Sequence, residues 1–480
     1  MINIAVLGYG TIGSGVVEVI ETNHESINRK IGEPIRVKYV LDKRDLSGTP
    51  VASKAVTDYD IILNDDDVSI VVEVLGGVEP AYTFAKQALE HGKSVATSNK
   101  ELVAEKGAEL LAMAKSKNLN FLFEASVGGG IPIIRPLNQS LTADEINEIT
   151  GILNGTTNYI LTKMADEGAD FDEVLKDAQD KGYAELHPEA DVEGYDACRK
   201  IAILTSLAFG MQVDYEDVHT EGITKITETD MKYAKALNKS IKLLGTSKKI
   251  GDNVYAMVCP MMIGRDHPLI GVNDVFNGIF VNGNVIGDVM FYGAGAGKLP
   301  TASAVVADVI DAAKHKERNI MQIWSEKKLH LTDIGDFEHK FFVRLPKDCD
   351  REKVKEVFGD VEFNKVYLHV RKGSEKSYAD NGWLFLWGDN IEGDYPNIAD
   401  GIGNVATENM KCSVVRLNAN EACLTANVNI SSVELYNAAG SLVSEVRQFN
   451  SNRVLITLPY HGFYIAKLKF NDGSVKVVKI

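Results

Sequence analysis

The first 124 residues alternate short apolar runs with segments in which apolar residues recur at helical spacing. The apolar runs predict strands at Ile2–Leu7, Val37–Leu41, Ile70–Leu75, Ser94–Thr97 and Asn120–Glu124. Helical spacing predicts helices at Thr11–Glu21, Tyr82–Glu90 and Leu102–Lys115. Strands that alternate with helices in this way indicate βαβ units and a parallel sheet.

From about residue 140 the pattern changes to an α+β order, and we expect a substrate domain there. Strand-like runs lie at Ile146–Leu153, Val254–Ile263, Val275–Val281 and Asp288–Phe291. Helical patterns lie at Thr156–Glu167, Phe171–Lys181, Gly194–Phe209 and Ala302–His315.

The last third of the chain differs again. A strand at Phe341–Leu345, a charged helix at Arg351–Phe358 and a strand at Val366–Arg371 indicate a small α/β unit, and residues 373–403 are rich in Gly, Asp and Asn. Residues 424–480 consist of short strand-like runs separated by turn residues, which predicts a small all-β module.

Composition narrows the class of protein. The chain has 480 residues, a net charge of −16, 45% hydrophobic residues and 25% charged residues. These values are typical of a globular protein and argue against nucleic acid as the main partner. No apolar run reaches the roughly 18 residues of a membrane span. The N-terminus lacks the basic region of a signal peptide, and the five cysteines form no C-x-x-C pair. We therefore expect a cytoplasmic protein without a membrane span, a disulfide framework or a zinc site.

The first candidate site is the G-x-G-x-x-G pattern Gly8-Tyr9-Gly10-Thr11-Ile12-Gly13, directly after a predicted strand and at the start of a predicted helix. In this context the glycines permit a tight turn and a close approach of the backbone to a pyrophosphate, which predicts a dinucleotide site. The second strand ends in Asp42-Lys43-Arg44. Asp42 would favour the free ribose hydroxyl of NAD, whereas Lys43 and Arg44 could pair with the phosphate of NADP, so either cofactor is open.

Three further glycine-rich or polar turns follow predicted strands. Thr97-Ser98-Asn99-Lys100 places a lysine where ligands bind in parallel sheets, although a solvated surface lysine would show the same spacing. The stretch EASVGGGIP at residues 124–132 exposes backbone carbonyls that could hold a cation, or forms a sharp turn before a helix. YGAGAGKLPT at residues 292–301 could bring a helix N-terminus to a ligand.

Asp196 and Lys200 are four residues apart on a predicted helix and share one face. They could form a surface ion pair. However, the helix continues as the apolar run Ile201–Phe209, and a buried lysine beside carboxylates is a candidate proton donor. The turn GILNGTTNY at residues 151–159 could cap a helix through Asn154 or Thr156, or form a platform for a polar substrate.

Together these motifs resemble homoserine dehydrogenase over about residues 1–320. The most specific is Pro188-x-x-Asp191-Val192-x-Gly194-x-Asp196-x-x-x-Lys200, which is similar to the family signature. The resemblance implies a reversible, NAD(P)-dependent interconversion of L-homoserine and L-aspartate 4-semialdehyde, on the pathway to threonine and methionine. It also implies a homodimer and a small-molecule substrate.

The resemblance implies roles for individual residues. The implied catalytic residues are Lys200, Lys100 and Asp196. The implied substrate ligands are Glu185 and Asp191. The implied cofactor contacts are Gly8, Gly10, Thr11, Ile12, Gly13, Arg44, Thr97, Ser98, Lys100 and Gly297. A monovalent cation such as Na⁺ is implied at Glu124, Val127, Gly129 and Ile131.

The expected fold is α/β, with a Rossmann-type parallel sheet, an α+β substrate and dimerisation domain, a small α/β unit and a C-terminal all-β module. The expected domains are residues 1–140 (completed by a helix at about 302–320), 141–301, 335–416 and 424–480. Residues 335–416 occupy the place of a regulatory ACT domain but lack its D-x-P-G-V-L-type loop, which suggests a degenerate ACT-like region. Residues 431–480 resemble the sorting tail of the type IX secretion system. A pseudoenzyme or surface-exported binding protein that uses this β module is the alternative function.

Overall fold

The structure, a computed structural model, describes residues 1–337, 340–343, 353, 368–369, 385–388, 412–418, 421–437, 442–457, 464–471 and 475–479. The chain forms two compact units, Met1–Asn397 and Ile398–Ile480.

The first unit begins with a parallel six-stranded sheet, as the alternating pattern predicts. Its strands are β1 (Ile2–Leu7), β2 (Ile35–Leu41), β3 (Ala55–Val56), β4 (Val68–Glu73), β5 (Ser94–Thr97) and β6 (Phe121–Leu122), in the order β3-β2-β1-β4-β5-β6. The helices between them are α1 (Thr11–Thr22), α2 (His24–Ile31), α3 (Asp60–Leu63), α4 (Ala81–Glu90) and α5 (Lys100–Ser116). Every residue of β1 is buried, as expected for a parallel strand covered on both faces.

A mixed sheet follows in the same unit. The connecting segment contains α6 (Ala125–Gly128) and a π-helical turn at Pro136–Ser140. The next elements are β7 (Ile146–Ile152), α7 (Gly155–Glu167), α8 (Phe171–Asp180), α9 (Glu189–Val192), α10 (Tyr195–Phe209), β8 (Met211–Gln212), β9 (His219–Thr220), α11 (Glu228–Ala236), β10 (Ser240–Ile250), β11 (Asn253–Ile263), β12 (Phe276–Gly283) and β13 (Gly287–Ala294). The elements after them are α12 (Lys298–Lys314), β14 (Ser325–Lys328), β15 (Lys340–Val343), β16 (Leu368–His369) and β17 (Phe385–Gly388). The sheet order is β13-β12-β7-β10-β11-β17-β15-β16, with β9 beside β11.

Helix α12 returns to the parallel sheet and joins its core. Val305 and Val309 belong to the same buried cluster as Ile4 and Val6 of β1. A β-carbon on Gly15 of α1 would lie 2.9 Å from the carbonyl oxygen of Lys298, so the glycine permits this close packing. The later helix therefore fixes the start of α1, where the glycine-rich turn lies.

Several elements differ from the sequence predictions. Helix α5 begins at Lys100 instead of Leu102, because the Asn99 side chain accepts hydrogen bonds from the backbone N–H groups of Glu101 and Leu102. Helix α12 begins at Lys298 instead of Ala302. Elements α2, α11, β10 and β17 were not predicted, and β17 lies in the stretch at residues 373–403 that is rich in Gly, Asp and Asn. The predicted helix at Arg351–Phe358 lies, apart from Lys353, outside the described residues.

The second unit contains an antiparallel five-stranded sheet. Its strands are β18 (Cys412–Asn418), β19 (Glu421–Asn437), β20 (Leu442–Thr457), β21 (Tyr464–Phe470) and β22 (Val475–Lys479). Strand β19 pairs with β18, β20 and β21, and a buried apolar cluster that includes Leu424, Val433 and Leu468 covers one face. The all-β character is as predicted, but the sheet begins at Cys412, earlier than the predicted boundary at residue 424.

The segment that joins the two sheets of the first unit is held by Glu124. Its carboxylate accepts hydrogen bonds from the backbone N–H groups of Ile133 (2.6 Å), Ile134 (2.8 Å) and Arg135 (2.8 Å). The loop between residues 124 and 135 is thereby closed on itself.

Arg135 secures this loop to α12. Its guanidinium pairs with Asp308 and, at 2.6 Å, with Asp311, and it lies 3.8 Å from the Glu124 carboxylate. Asp308 also accepts the backbone N–H of Glu124 at 2.8 Å. Burial raises the pKa of Asp308 to about 8, and the nearby Glu124 carboxylate acts in the same direction.

None of the helices in the described part of the chain is long and apolar enough to cross a membrane.

Replacing Arg135 with methionine leaves three neighbouring carboxylates without their shared cation. We expect the free energy of unfolding of Arg135→Met to fall by about 3 kcal/mol at about pH 8. Because a carboxyl with a raised native pKa stabilises the fold only while protonated, the loss should shrink as the pH falls from about 8 towards about 5. Urea unfolding at both pH values measures this difference. Arg29→Met, on the exposed surface of α2, is the control and should change stability by less than about 0.5 kcal/mol. If Arg135→Met were as stable as the native chain at about pH 8, Arg135 would not stabilise the three carboxylates around it.

Candidate active site

The glycine-rich turn joins β1 to α1 with the geometry of a phosphate cradle. Gly8 has φ +98°, and a β-carbon on Gly13 would lie only 1.9 Å from the carbonyl oxygen of Gly8. A β-carbon on Gly10 would meet no atom of the described residues within 4 Å, so the turn leaves room on this side. Gly10 precedes Thr11 and Ile12 in the first turn of α1, whose N–H groups lack intrahelical partners. The turn therefore fits a pyrophosphate.

Asp42 and Arg44 lie beside this turn and pair with each other. Asp42 accepts the Tyr9 N–H at 2.8 Å, and it accepts the backbone N–H, Nε and Nη2 of Arg44 at 2.9, 2.9 and 2.7 Å. Hydrogen bonding from the guanidinium holds the pKa of Asp42 well below its usual range. The Arg44 side chain is 64% exposed. Lys43 is exposed as well. Both sequence cues for cofactor choice thus occupy one edge of the site.

The two candidate catalytic lysines meet on one buried carboxylate. Lys100 Nζ, at the start of α5, lies 2.6 Å from Asp196 Oδ1. Lys200 Nζ, one turn after Asp196 on α10, lies 2.8 Å from Asp196 Oδ2 and donates to the carbonyl of Leu153 at 2.8 Å. The Asp196 side chain is only 4% exposed. The structure therefore brings together residues almost 100 positions apart, from helices α5 and α10.

Charge explains how this carboxylate stays ionised. Burial alone would raise the pKa of Asp196, but the ammonium groups of Lys200 and Lys100 outweigh burial and hold that pKa well below its usual range. Burial opposes the charged form of Lys100 too, yet Asp196 raises the pKa of Lys100 above its ordinary value. Lys100 and Asp196 are thus stabilised as an ion pair inside the protein.

Asn154 links Asp196 to Asp191. Its Nδ2 donates to Asp191 Oδ1 at 2.8 Å and to Asp196 Oδ2 at 2.9 Å, while its Oδ1 accepts the Thr157 N–H at 2.9 Å and caps α7. Burial, together with the charge of Asp196, raises the pKa of Asp191. Of the two roles that the sequence left open, the cap is confirmed and is made by Asn154, whereas the platform for a polar substrate stays a prediction.

Glu185 lies apart from this centre. Its side chain is exposed, and the contact found for it is the hydrogen bond from Gln179 Nε2 to its backbone carbonyl at 3.0 Å. Within the described residues, the structure does not bring the Glu185 carboxylate into contact with Lys100, Lys200 or Asp196.

Thr97 and Ser98 lie at the end of β5, beside a buried acid that the sequence analysis did not single out. The Thr97 hydroxyl donates to Glu73 Oε2 at 2.5 Å, and the Ser98 N–H donates to the Glu73 carbonyl at 3.4 Å. Glu73 is fully buried. A charged residue inside the apolar run IVVEVL was the signal that could have drawn attention to it.

The candidate cation residues lie on the loop that Glu124 closes. The Glu124 carboxylate is already engaged by three backbone N–H groups, so its main-chain carbonyl is the more available ligand. Val127 and Ile131 are buried apolar residues and could contribute only carbonyls as well. Gly129 has φ +57°, and a β-carbon there would lie 2.2 Å from the Gly295 carbonyl oxygen. The loop thus packs against the turn that precedes α12.

Gly297 ends that turn and precedes α12. It has φ +110°, which favours glycine, and no side chain in the described part of the chain caps the helix. Because α12 begins beside Gly15 of α1, Gly297 belongs to the same side of the sheet as the glycine-rich turn.

Alanine substitutions at two glycines separate folding from cofactor binding. Gly10→Ala should leave the melting temperature unchanged, because its β-carbon meets no atom, but should weaken binding of NAD(H) and NADP(H) about tenfold or more by filling the cradle. Gly13→Ala should lower the melting temperature, because its β-carbon collides with the Gly8 backbone. Thermal unfolding and cofactor titration measure both effects. Native cofactor affinity in Gly10→Ala would contradict this placement of the cradle.

Comparisons with known proteins agree with the geometry. The family profile "Homoserine dehydrogenase, NAD binding domain" matches residues 8–124, and the profile "Homoserine dehydrogenase" matches residues 132–310. The homoserine dehydrogenase of Bacillus subtilis (strain 168) is 44% identical over 405 residues, which is 79% of this chain and 93% of that protein.

Solved structures show the same relationship. A homoserine dehydrogenase from Thiobacillus denitrificans superposes with a TM-score of 0.75 at 33% identity, over 82% of this chain and 99% of that one. A hyperthermophilic archaeal homoserine dehydrogenase in complex with NADPH superposes with a TM-score of 0.57 at 29% identity, over 65% of this chain and 97% of that one. The chain therefore belongs to the homoserine dehydrogenase family of NAD(P)-dependent oxidoreductases.

Proposed function

We propose that Lys200, Lys100 and Asp196 carry out the reversible interconversion of L-aspartate 4-semialdehyde and L-homoserine, a step towards threonine and methionine. The observation that carries this assignment is the meeting of both lysines on the buried carboxylate of Asp196. Lys100 begins α5 directly after β5 of the parallel sheet, and Lys200 lies on α10, so a centre between these helices suits a site shared by cofactor and substrate.

The chemistry follows from charge. When bound, the nicotinamide supplies the hydride that reduces the aldehyde carbon. Negative charge then grows on the aldehyde oxygen, where Lys200 donates a proton and Lys100 stabilises the charge. Asp196 keeps Lys100 protonated and orients both ammonium groups. In the oxidation of homoserine, Lys200 takes the proton back.

We propose that Glu185 binds the substrate's ammonium group and that Asp191 orients the substrate. Asn154 holds one oxygen of Asp191 at 2.8 Å, which fixes the carboxylate beside the catalytic centre. Glu185 lies on the exposed segment just before Asp191, and a carboxylate there suits a cationic group.

We assign the cofactor to Gly8, Gly10, Thr11, Ile12 and Gly13 at the pyrophosphate, with Gly297, Thr97, Ser98 and Lys100 along the rest of the site. We further propose that Arg44 reads the 2′ position and favours NADP. The Asp42 carboxylate is occupied by hydrogen bonds from Tyr9 and Arg44, whereas the Arg44 side chain is 64% exposed and could receive a phosphate.

We propose that a monovalent cation such as Na⁺ binds the main-chain carbonyls of Glu124, Val127, Gly129 and Ile131. The closed loop supports this proposal, because it holds the backbone in a fixed shape while its side chains are engaged elsewhere or apolar.

We also propose a cytoplasmic homodimer. Edge strand β13 exposes Met290 (42%) and Tyr292 (54%), which suits burial against a second copy.

For the C-terminal part we keep two proposals from the sequence, a degenerate ACT-like region at 335–416 and a sorting-tail-like module at 424–480. Export of that module to the surface is the alternative function, and cell fractionation separates it from a cytoplasmic enzyme.

The assay is the absorbance of NADH or NADPH formed from L-homoserine by purified protein, with each cofactor in parallel. We expect turnover, faster with NADP than with NAD.

Lys200→Ala should lower kcat about a hundredfold or more and leave the Kd of the cofactor within about threefold. The matched control is Lys232→Ala, because Glu228 and Lys232 form the same i,i+4 pair on α11 but are exposed.

Three results would overturn these assignments. Absence of turnover in folded, cofactor-bound protein would exclude the enzyme. Native rates in Lys200→Ala would exclude its role. Equal use of NAD and NADP would exclude discrimination by Arg44.

A further inference from the structure

Glu73 is a fully buried acid at the end of β4. Its carboxylate accepts the Leu75 N–H at 2.7 Å and the Thr97 hydroxyl at 2.5 Å. Within the described residues it has no cationic partner, and burial raises its pKa to about 7. Burial of an acid without a countercharge is costly, and the neighbouring strand positions are filled by valine. The hydrogen bonds it makes must therefore supply something that an apolar residue would not.

One of these bonds leads to Lys100. The Thr97 oxygen that donates to Glu73 also accepts the Asn99 N–H at 2.9 Å. Asn99 in turn accepts the N–H groups of Glu101 and Leu102, both at 3.1 Å, and its Nδ2 donates to the Gly77 carbonyl at 2.7 Å. The turn before α5 is thus held in place from β4, and α5 begins at Lys100.

The other bond leads to the glycine-rich turn. Leu75, whose N–H binds Glu73, packs with its Cδ2 only 3.0 Å from where a β-carbon on Gly8 would lie. Val74 lies next to Gly13 in the same way, at 3.3 Å. One carboxyl group therefore holds two backbone segments, one under the dinucleotide turn and one at the base of Lys100.

We infer that Glu73 is a positioning residue for the reaction centre, which acts through the Thr97 hydroxyl to place Lys100 against Asp196. The inference rests on the proposed role of Lys100. It depends on the direction of the hydrogen bond, because the Thr97 hydroxyl must donate to Glu73 while its oxygen accepts from Asn99.

The test changes hydrogen bonds at nearly constant size. In Glu73→Gln the carboxamide keeps an acceptor for Leu75, but its NH₂ faces Thr97 as a donor, so the Thr97 proton loses its acceptor. Thr97→Val removes the hydroxyl, and Thr97→Ser retains it. The matched control is Thr162→Val, because the buried Thr162 hydroxyl also donates (to the Asn158 carbonyl at 2.7 Å) and accepts (from the Asp274 N–H at 3.2 Å) but lies away from Lys100.

Two readouts separate positioning from stability. The first is the labelling rate of Lys100 by an amine-reactive reagent in cofactor-free protein, followed by mass spectrometry. We expect about threefold or faster labelling in Glu73→Gln and Thr97→Val, because the ion pair with Asp196 loosens, and native labelling in Thr97→Ser and Thr162→Val. The second is kcat with homoserine at saturating cofactor, which should fall about tenfold or more in Glu73→Gln and Thr97→Val and should fall less in Thr97→Ser, which keeps the hydroxyl.

The outcomes are distinguishable. Native labelling and native kcat in both Glu73→Gln and Thr97→Val would overturn the inference. A lower melting temperature in these variants with native labelling and native kcat would overturn it too, because Glu73 would then only stabilise the fold. Absence of turnover in the native chain would defeat the proposed function, while the labelling rates would still test the positioning of Lys100. If Glu73→Gln does not fold, the comparison of Thr97→Val with Thr97→Ser decides the matter.

Discussion

The buried carboxylate of Asp196 is the interaction on which the rest of the first unit depends. A carboxylate with 4% exposure would be expensive to bury alone, and two lysines brought together without it would repel each other. Each charge is therefore tolerated only because the others are present. Because Lys100 lies on α5 and Lys200 on α10, the ion pairs with Asp196 also join these two helices.

Backbone geometry brings these charges to one point. The carboxyl end of β5 leads into α5 at Lys100, on the edge of the parallel sheet where β1 leads into the glycine-rich turn. Asn154, directly after β7, binds both aspartates and caps the next helix. A second buried cluster, in which Arg135 joins Glu124 to α12, secures the connection between the sheets. Charge thus stabilises the reaction centre and the segment that joins its two halves.

Local patterns in the sequence predicted most of this architecture. Apolar runs that alternate with helical spacing predicted the parallel sheet. The G-x-G-x-x-G pattern predicted the phosphate cradle, because a turn of this shape needs glycine at Gly8 and Gly13. The Asp196–Lys200 pair follows from helical periodicity. Lys100 and Asp196 are 96 positions apart, and their pairing depends on tertiary packing. Spacing in the sequence therefore predicted each as a candidate site residue but did not predict that they pair.

Other features lacked a local signal. Glu73 belongs to no motif, and its importance rests on a hydrogen bond to a neighbouring strand. Helix α2 has few apolar residues, and β17 lies in a polar stretch that becomes a strand by pairing with β11. The side chain of Glu124 accepts three backbone N–H groups, which spacing alone does not reveal.

The pH profile of kcat for Asp196→Asn, measured in the direction of aldehyde reduction, tests the central claim most directly. Stabilisation of the negative charge on the aldehyde oxygen needs protonated Lys100, so activity should fall as the pH rises through the pKa of Lys100. Asp196 raises the pKa of Lys100, and its neutral replacement should therefore move the alkaline limb to lower pH and lower kcat about a hundredfold. A native kcat with an unshifted alkaline limb would show that the buried carboxylate does not organise the two lysines.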